Sequence, residues 1–298
     1  MKYVYYPGCS LEGTALEYDA STRAVMQRLG VELVDIEDWT CCGASAAEPV
    51  SYLLSMALPA RNLAKVQSDQ DGMDVLVPCS ACYLNLRKVE DHIRKEEGLL
   101  EQINEVLSVE GLSYKGGVRS RHLLDVLATD MGPGKIREQV KQPLSGVRVA
   151  PYYGCQALRP YRVFDDPEEP RSMEPILRAL GAEIHPWSMG ARCCGAGLMT
   201  TKKDASLDAV ASLLSAARGA DCIVTVCPMC QMNLEAYQKK ISRREGEDLS
   251  ISILYLPQLM GIAFGMGDAE LKVDMNFVFK PELRAKLAST ASRSTRAA

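Results

Sequence analysis

The chain has 298 residues, 34 Lys and Arg against 38 Asp and Glu, a formal net charge of −4 and 47% hydrophobic residues. That length holds one large domain or two ordinary ones, either able to bury a core without disulfide staples. The slightly acidic balance excludes a broad basic face for nucleic acid, and four Phe and two Trp leave few rings for stacking bases. No apolar run reaches the ~18–20 residues needed to span a bilayer. Met1 to Ser10 lacks the regions of a signal peptide. The expectation is a cytoplasmic protein with no membrane span, in which eleven cysteines cannot be secretory disulfides.

In chain order, a Tyr-rich strand over Lys2 to Tyr6 leads into Cys9. The pattern then predicts an amphipathic helix over Tyr18 to Leu29, stopped by Gly30, and a strand over Val31 to Ile36. A longer helix over Val50 to Gln67 precedes an apolar strand, Asp74 to Val77. His92 sits on a charged helix, and His122 begins an apolar one. Turn residues from Gly132-Pro133-Gly134 to Pro143 break the pattern and mark a boundary. A second strand, Val147 to Tyr153, leads into Cys155 and an acidic turn, Asp165 to Pro170. A helix from Ser172 to Leu180 follows, with Pro175 in its first turn and Gly181 after its end. Next come a short strand, His185 beside its end, a helix over Asp204 to Arg218 and a strand over Cys222 to Val226. Ala288 to Ala298 is small, polar and basic, as in a disordered tail.

The chain is a duplication. Cys9, Cys41-Cys42-Gly43 and Cys79-Ser80-Ala81-Cys82 recur as Cys155, Cys193-Cys194-Gly195 and Cys227-Pro228-Met229-Cys230, at offsets of 146, 152, 148 and 148 residues. Asn85-Leu86 and Asn233-Leu234 follow the two CxxC pairs at equal distance, and Trp39 and Trp187 each precede a Cys-Cys pair. Strands alternating with helices argue for parallel βαβ units. The fold class read here is two similar tandem α/β domains related by a pseudo-twofold, 1–143 and 144–287, with the tail 288–298. The cysteines would then lie at the carboxyl edge of each sheet, where open α/β sheets bind ligands.

Each half carries one lone cysteine, an adjacent pair and a CxxC: C-x31-C-C-x36-C-x2-C, then C-x37-C-C-x32-C-x2-C. Thiolate is the soft donor that selects zinc, copper(I) or iron–sulfur chemistry. A mononuclear zinc site closes with four ligands, so five per half is one too many for zinc or for an ordinary cubane cluster. Ten buried structural thiols would not recur twice in one spacing, and a thioredoxin-type CxxC leaves the Cys-Cys pairs unexplained. Iron–sulfur ligation is the reading that uses all ten. Cys222 has no counterpart, since Asp74 fills the matching place, and reads as a core residue of its strand.

Two complete copies of this "CCG" pattern resemble the B subunit of heterodisulfide reductase (HdrB), as do Pro7-Gly8-Cys9, Gly154-Cys155, Arg159-Pro160 and Phe164-Asp165-Asp166-Pro167. The pattern is shared with iron–sulfur subunits of lactate, glycolate and some succinate dehydrogenases, and the second copy departs slightly in its spacing. The resemblance implies two noncubane 4Fe–4S clusters, one held by Cys9, Cys41, Cys42, Cys79 and Cys82, the other by Cys155, Cys193, Cys194, Cys227 and Cys230. It implies that the clusters face each other with a disulfide substrate between them. A disulfide needs two electrons, and each cluster could donate one and catch one sulfur. Gly43 and Gly195 would let backbone approach the sulfurs.

The partners implied are a small ferredoxin-like C subunit, which carries cubane clusters, and a flavin-bearing A subunit. A hydrogenase or formate dehydrogenase module is a further candidate. No flavin or nicotinamide is expected on this chain, because no GxGxxG follows the first strand, and Gly132-Pro133-Gly134-Lys135 lacks P-loop spacing. No ferredoxin run is present either, so electrons would arrive from a partner. Arg159 and Arg162 are candidates for an acidic substrate group, against a plain salt-bridge role. His122 and His185 are candidate proton donors, against core or capping roles. The alternatives to a disulfide reductase are an electron-transfer component of a flavoprotein dehydrogenase and a zinc-binding assembly module.

Overall fold

A computed structural model describes residues 1–297 apart from Ser45 and Asp71, with the side chains from 290 onward outside that description. The first half runs β1 (Lys2–Tyr5), α1 (Gly8–Leu11), α2 (Leu16–Arg28), β2 (Glu32–Asp35), α3 (Tyr52–Asp69), β3 (Val75–Val77), α4 (Ser80–Lys95), α5 (Leu99–Leu107) and β4 (Ser120–His122). Helices α6 (Leu123–Val126) and α7 (Gly132–Glu138) lead into the second half. That half runs β5 (Arg148–Tyr152), α8 (Met173–Ala179), β6 (Glu183–Ile184), α9 (Lys203–Ala216), β7 (Cys222–Thr225), α10 (Pro228–Ala236), α11 (Gln238–Glu245), β8 (Ser252–Tyr255) and α12 (Leu256–Ala263). The short α13 (Asp268–Leu271) and α14 (Pro281–Ala297) close the chain. Of the tail expected to be disordered, 288–297 lie in α14 and Ala298 lies outside the described residues.

The sheets pair in the orders β2-β1-β3-β4 and β6-β5-β7-β8, every neighbour parallel. Val4 is in register with Val34 on one side and Val75 on the other; Val149 is in register with Ile184 and Cys222. Strands covered on both faces read as unbroken apolar runs, and β3, β7 and β8 are buried at every residue. Cys222 is one of these, with no exposed surface. The expected helices and strands all form, within about two residues of the ends read from pattern. Gly30 and Gly181 stop α2 and α8 with the same returning bond, Val31 N–H to Met26 O at 2.9 Å and Ala182 N–H to Leu177 O at 3.1 Å.

One feature differs from the sequence reading. The turn-rich stretch after Gly132 is helical: Pro133 occupies the first turn of α7, where its fixed φ favours a helix and its missing N–H costs nothing. The halves also share a core. One apolar cluster runs from Tyr3 and Met26 through Leu124 to Leu254, Leu259 and Leu287, with α2 of the first half packed on α12 of the second. Two rings cross this seam reciprocally. Tyr18 stacks on Tyr255 at 4.0 Å between centroids, and Phe164 lies parallel to His122 at 6.1 Å. Tyr18 and Phe164 each follow the first cysteine of their half by nine residues, and His122 and Tyr255 each end a fourth strand.

The outer edge of the first sheet is held by one buried cation. Arg121, on β4, pairs with Asp125, with Asp130 at 2.9 Å and with Asp74 at 3.4 Å, and donates to Thr129 Oγ1 at 2.9 Å. Removing the cation strands the buried Asp125 carboxylate without its partner. Arg121→Met is expected to lower stability by about 3 kcal/mol or more, read as a drop in the denaturation midpoint. Arg119→Met, on an exposed side chain 3.8 Å from Asp74, is expected to stay within about 0.5 kcal/mol of the parent.

Candidate metal centre

All ten recurring cysteines stand at carboxyl ends of parallel strands. Cys9 follows β1 on α1, Cys41 and Cys42 follow β2, and Cys79 follows β3 as the residue before α4, with Cys82 in that helix's first turn. Strands β1 and β3 are neighbours, while the chain leaves β1 toward β2 on the other side. The loops therefore diverge at that point and leave a crevice, the usual ligand position of a doubly wound sheet. Cys155, Cys193, Cys194, Cys227 and Cys230 repeat the placement on β5, β6 and β7.

The sulfurs approach in matching pairs. Cys42 Sγ lies 3.4 Å from Cys82 Sγ and Cys41 Sγ lies 3.7 Å from Cys9 Sγ. In the second half Cys194 and Cys230 are 3.6 Å apart and Cys155 and Cys193 3.9 Å. All are free thiols; Cys42, Cys79, Cys82, Cys194, Cys227 and Cys230 are buried, while Cys9, Cys41 and Cys193 are exposed. Among the described residues, no three His, Cys, Asp or Glu side chains meet the geometry of a single-ion metal site.

The same side chains shape both loops. Tyr6 and Tyr152, each three residues before the first cysteine of its half, donate their hydroxyls to Thr40 O and Arg192 O, both at 2.7 Å. Those carbonyls precede Cys41 and Cys193, and each tyrosine ring meets a tryptophan edge-on, Trp39 at 5.6 Å and Trp187 at 6.1 Å. Asn85 Nδ2 donates to Cys42 O at 3.0 Å and Ala44 O at 3.2 Å, and Asn233 Nδ2 to Cys194 O at 2.7 Å. Sitting three residues after the last cysteine of each CxxC, the asparagine shares its helix face and ties the Cys-Cys loop to it. The recurrence of Asn-Leu was visible in sequence; this purpose was not.

Glycine is required at two places in each half. Gly43 and Gly195 adopt φ of +79° and +75°, and a Cβ would sit 2.7 Å from Ala47 Cβ or 2.9 Å from Ser206 Cα. Gly8 and Gly154 are the closer cradle: a Cβ would stand 2.7 Å from Cys82 Sγ and 3.0 Å from Cys230 Sγ.

Within each sulfur group one thiol donates and another accepts. Cys42 is lowered to about 3 by the thiol of Cys41 and then that of Cys82, whose own values are pushed up. Cys193 is lowered to about 6 by the Cys155 thiol, with the Gly195 N–H, 3.3 Å from its sulfur, assisting. The Ala44 N–H points at Cys42 Sγ from 3.4 Å. Soft donors, backbone N–H groups aimed at sulfur, and a cradle with no room for a methyl fit iron–sulfur ligation by each set of five.

The remaining candidates are held by neighbours. Arg159 bonds Glu168 at 3.0 Å, Pro167 O at 3.3 Å and Ala191 O, and Arg162 pairs with Asp166 at 2.9 Å. Asp165 and Asp166 accept backbone N–H groups from 166 to 172, which folds the acidic turn on itself before α8. His92 bonds Tyr52 and Glu96. His185 Nε2 meets Ala216 O at 3.1 Å, and His122 caps α6 through Leu124 N–H.

Comparison with known proteins agrees with this duplicated geometry. A family model described as "Cysteine-rich domain" matches residues 3–87 and again 149–235. The chain is 34% identical over 281 residues to an 8-methylmenaquinol:fumarate reductase membrane anchor subunit of Wolinella succinogenes, covering 93% of this chain and 97% of that one. It is 31% identical to a protein of Archaeoglobus profundus described as like the heterodisulfide reductase B subunit, over 89% of this chain and 91% of that one. It is 29% identical to the B subunit of a ferredoxin/F420H2-dependent CoB-CoM heterodisulfide reductase of Methanosarcina acetivorans, over 96% and 97%. A solved structure of a hypothetical protein from Helicobacter pylori shares the fold, with a TM-score of 0.73 at 16% identity; it is covered over 52% of its length by 93% of this chain.

The cradle glycines give a direct test of ligation. Gly8→Ala and Gly154→Ala are each expected to halve the iron and acid-labile sulfide taken up on anaerobic reconstitution. Gly98→Ala, at φ +77° with open space around it, is expected to change neither. Equal loading in all three variants would contradict the cradle.

Proposed function

Because the chain belongs to the cysteine-rich domain family, in two copies, we propose that it is the catalytic iron–sulfur subunit of a heterodisulfide-reductase-type complex. Each half would hold one noncubane 4Fe–4S cluster through its five cysteines, with 1–143 and 144–287 as the two units. The observation that carries the reading is the juxtaposition of the two CxxC turns across the seam: Tyr18 OH reaches both Pro78 O and Val226 O, the carbonyls just before Cys79 and Cys227. When bound, such clusters supply single electrons at irons that accept sulfur ligands.

The reaction is R–S–S–R′ + 2 e⁻ + 2 H⁺ → R–SH + R′–SH, with electrons from a ferredoxin-like C subunit fed by a flavin-bearing A subunit. A hydrogenase or formate dehydrogenase module upstream is compatible. The chain's own contribution is to present two five-thiolate sites at one interface and to keep water out between them. Tyr18, Tyr83, Tyr255 and His122 are buried around that interface and pack it with rings. Clusters held by the two thiol sets would together supply the two electrons that cleavage of a disulfide needs.

A second reading is favoured by one specific observation, the 34% identity to a subunit of a quinol-linked fumarate reductase over nearly the whole chain. In that reading the same two sites relay electrons between a quinone pool and a flavoprotein, with no disulfide involved. Among the described residues no helix is long and apolar enough to cross a membrane.

Anaerobically purified protein is expected to hold about eight irons per chain in two four-iron clusters. After oxidation, added thiol is expected to produce a new paramagnetic signal. Full iron without a thiol response, but with electron exchange with a menaquinol analogue, would favour the relay. Zinc with little iron would overturn both.

A further inference from the structure

The halves meet through a few polar atoms beside the CxxC turns, and these atoms are distributed unequally. The Tyr18 hydroxyl lies 3.1 Å from Pro78 O and 3.2 Å from Val226 O, so one proton is shared between the peptides that lead into Cys79 and Cys227. Ser80 Oγ makes a second tie, 3.1 Å from Val226 O and 3.1 Å from His122 Nε2. The bond directions are fixed. Leu124 N–H donates to His122 Nδ1 at 3.1 Å, which leaves the ring proton on Nε2, facing Ser80. Ser80 accepts that proton and directs its own at Val226 O. Burial lowers His122 to about 3, so the ring stays neutral and keeps this tautomer.

Among the described residues the second half returns none of this. The residue matching Ser80 is Pro228, with neither hydroxyl nor N–H. The residue matching Tyr18 is Phe164, which has a ring but no hydroxyl. The residue matching His122 is Tyr255, whose hydroxyl is spent within its own half on Gln231 Oε1 at 3.3 Å. The peptide before Cys227 thus receives the Ser80 proton and a share of the Tyr18 proton, both from the other half, while the peptide before Cys79 receives only the remaining share of the Tyr18 proton, from its own.

We infer that Tyr18 and Ser80 are positioning residues that make the second-half cluster the more easily reduced of the two, so that an electron entering the chain settles first at Cys155, Cys193, Cys194, Cys227 and Cys230. The inference rests on the two-cluster reading above. Hydroxyl dipoles pointing at the carbonyl beside a ligand sulfur offset the extra negative charge of the reduced state, and hydrogen bonding near the sulfurs is a main control of cluster potential. Each site takes one electron from an external reductant, and no proton moves at Tyr18, Ser80 or His122. The bonded route from Pro78 C=O through the Tyr18 O–H to Val226 C=O also links the two ligand turns directly.

The test is an anaerobic EPR-monitored titration of the full-length, cluster-loaded chain with dithionite. Wild type is expected to show two separate one-electron waves, and Cys155→Ser to lose the higher one. Ser80→Ala is expected to lower the higher potential and leave the other in place, with Ser80→Thr restoring it. Tyr18→Phe is expected to lower the same wave and weaken the spin–spin broadening of the fully reduced protein. Two full clusters with unchanged potentials in Ser80→Ala and Tyr18→Phe would overturn the clasp alone. So would survival of the higher wave in Cys155→Ser. No more than one cluster's iron in wild type would overturn the two-cluster reading, and the clasp with it.

Discussion

Parallel strand pairing is the constraint from which the rest of the molecule follows. Two parallel neighbours cannot be joined by a tight turn; the chain must cross back over a face of the sheet before pairing again. Between Cys9 and Cys41 lies one such return, α2 and β2, and between Cys42 and Cys79 another, α3 and β3. Helix α8 with β6, then α9 with β7, fill the corresponding gaps in the second half. The long spacers of 31, 36, 37 and 32 residues are therefore each a crossover helix plus a strand, and every return ends at the same carboxyl edge. A cysteine set far apart in sequence is gathered in space because pairing order leaves it nowhere else to go.

That is why so much was legible from the residues alone. Helices α2, α3, α8 and α9 and the strands beside them carry their own periodicity and stop signals, and the duplication supplied a second reading of each. The recurring thiols were equally plain, since ten cysteines in two matching sets leave little choice of chemistry. Legibility failed where a residue acts through a hydrogen bond to a distant backbone. Tyr6 and Tyr152 read as strand residues, yet their hydroxyls hold the carbonyls before Cys41 and Cys193. Asn85 and Asn233 recur in sequence without announcing that they pin the Cys-Cys loops. Arg159, weighed in sequence between an acidic substrate group and a salt bridge, donates to Pro167 O on its own loop and to Ala191 O on the loop before Cys193.

The seam between the halves was the least legible feature. Nothing in the repeat foretells that α2 packs on α12 and that one apolar cluster passes through both sheets. The crossing rings preserve the pseudo-twofold: Tyr18 on Tyr255, Phe164 against His122. Ring stacking of this kind depends on shape and area, so a tyrosine and a phenylalanine serve it equally. The hydroxyl is a separate property, and of the matched pair Tyr18 and Phe164 only Tyr18 carries it.

The two copies thus match in shape and differ in polarity along the seam. A symmetric pair of redox sites would have equal potentials, and a single arriving electron would have no preferred seat. The backbone cannot break that symmetry, because both sheets need the same crossovers to gather their cysteines. The thiols offer the same five donors on each side. What remains free to differ is the polar lining between the sites, where replacing Ser80 by its counterpart Pro228, or Tyr18 by Phe164, changes dipoles without moving a strand. An unequal clasp on a duplicated frame gives two matching thiol sets different electronic surroundings without moving a strand.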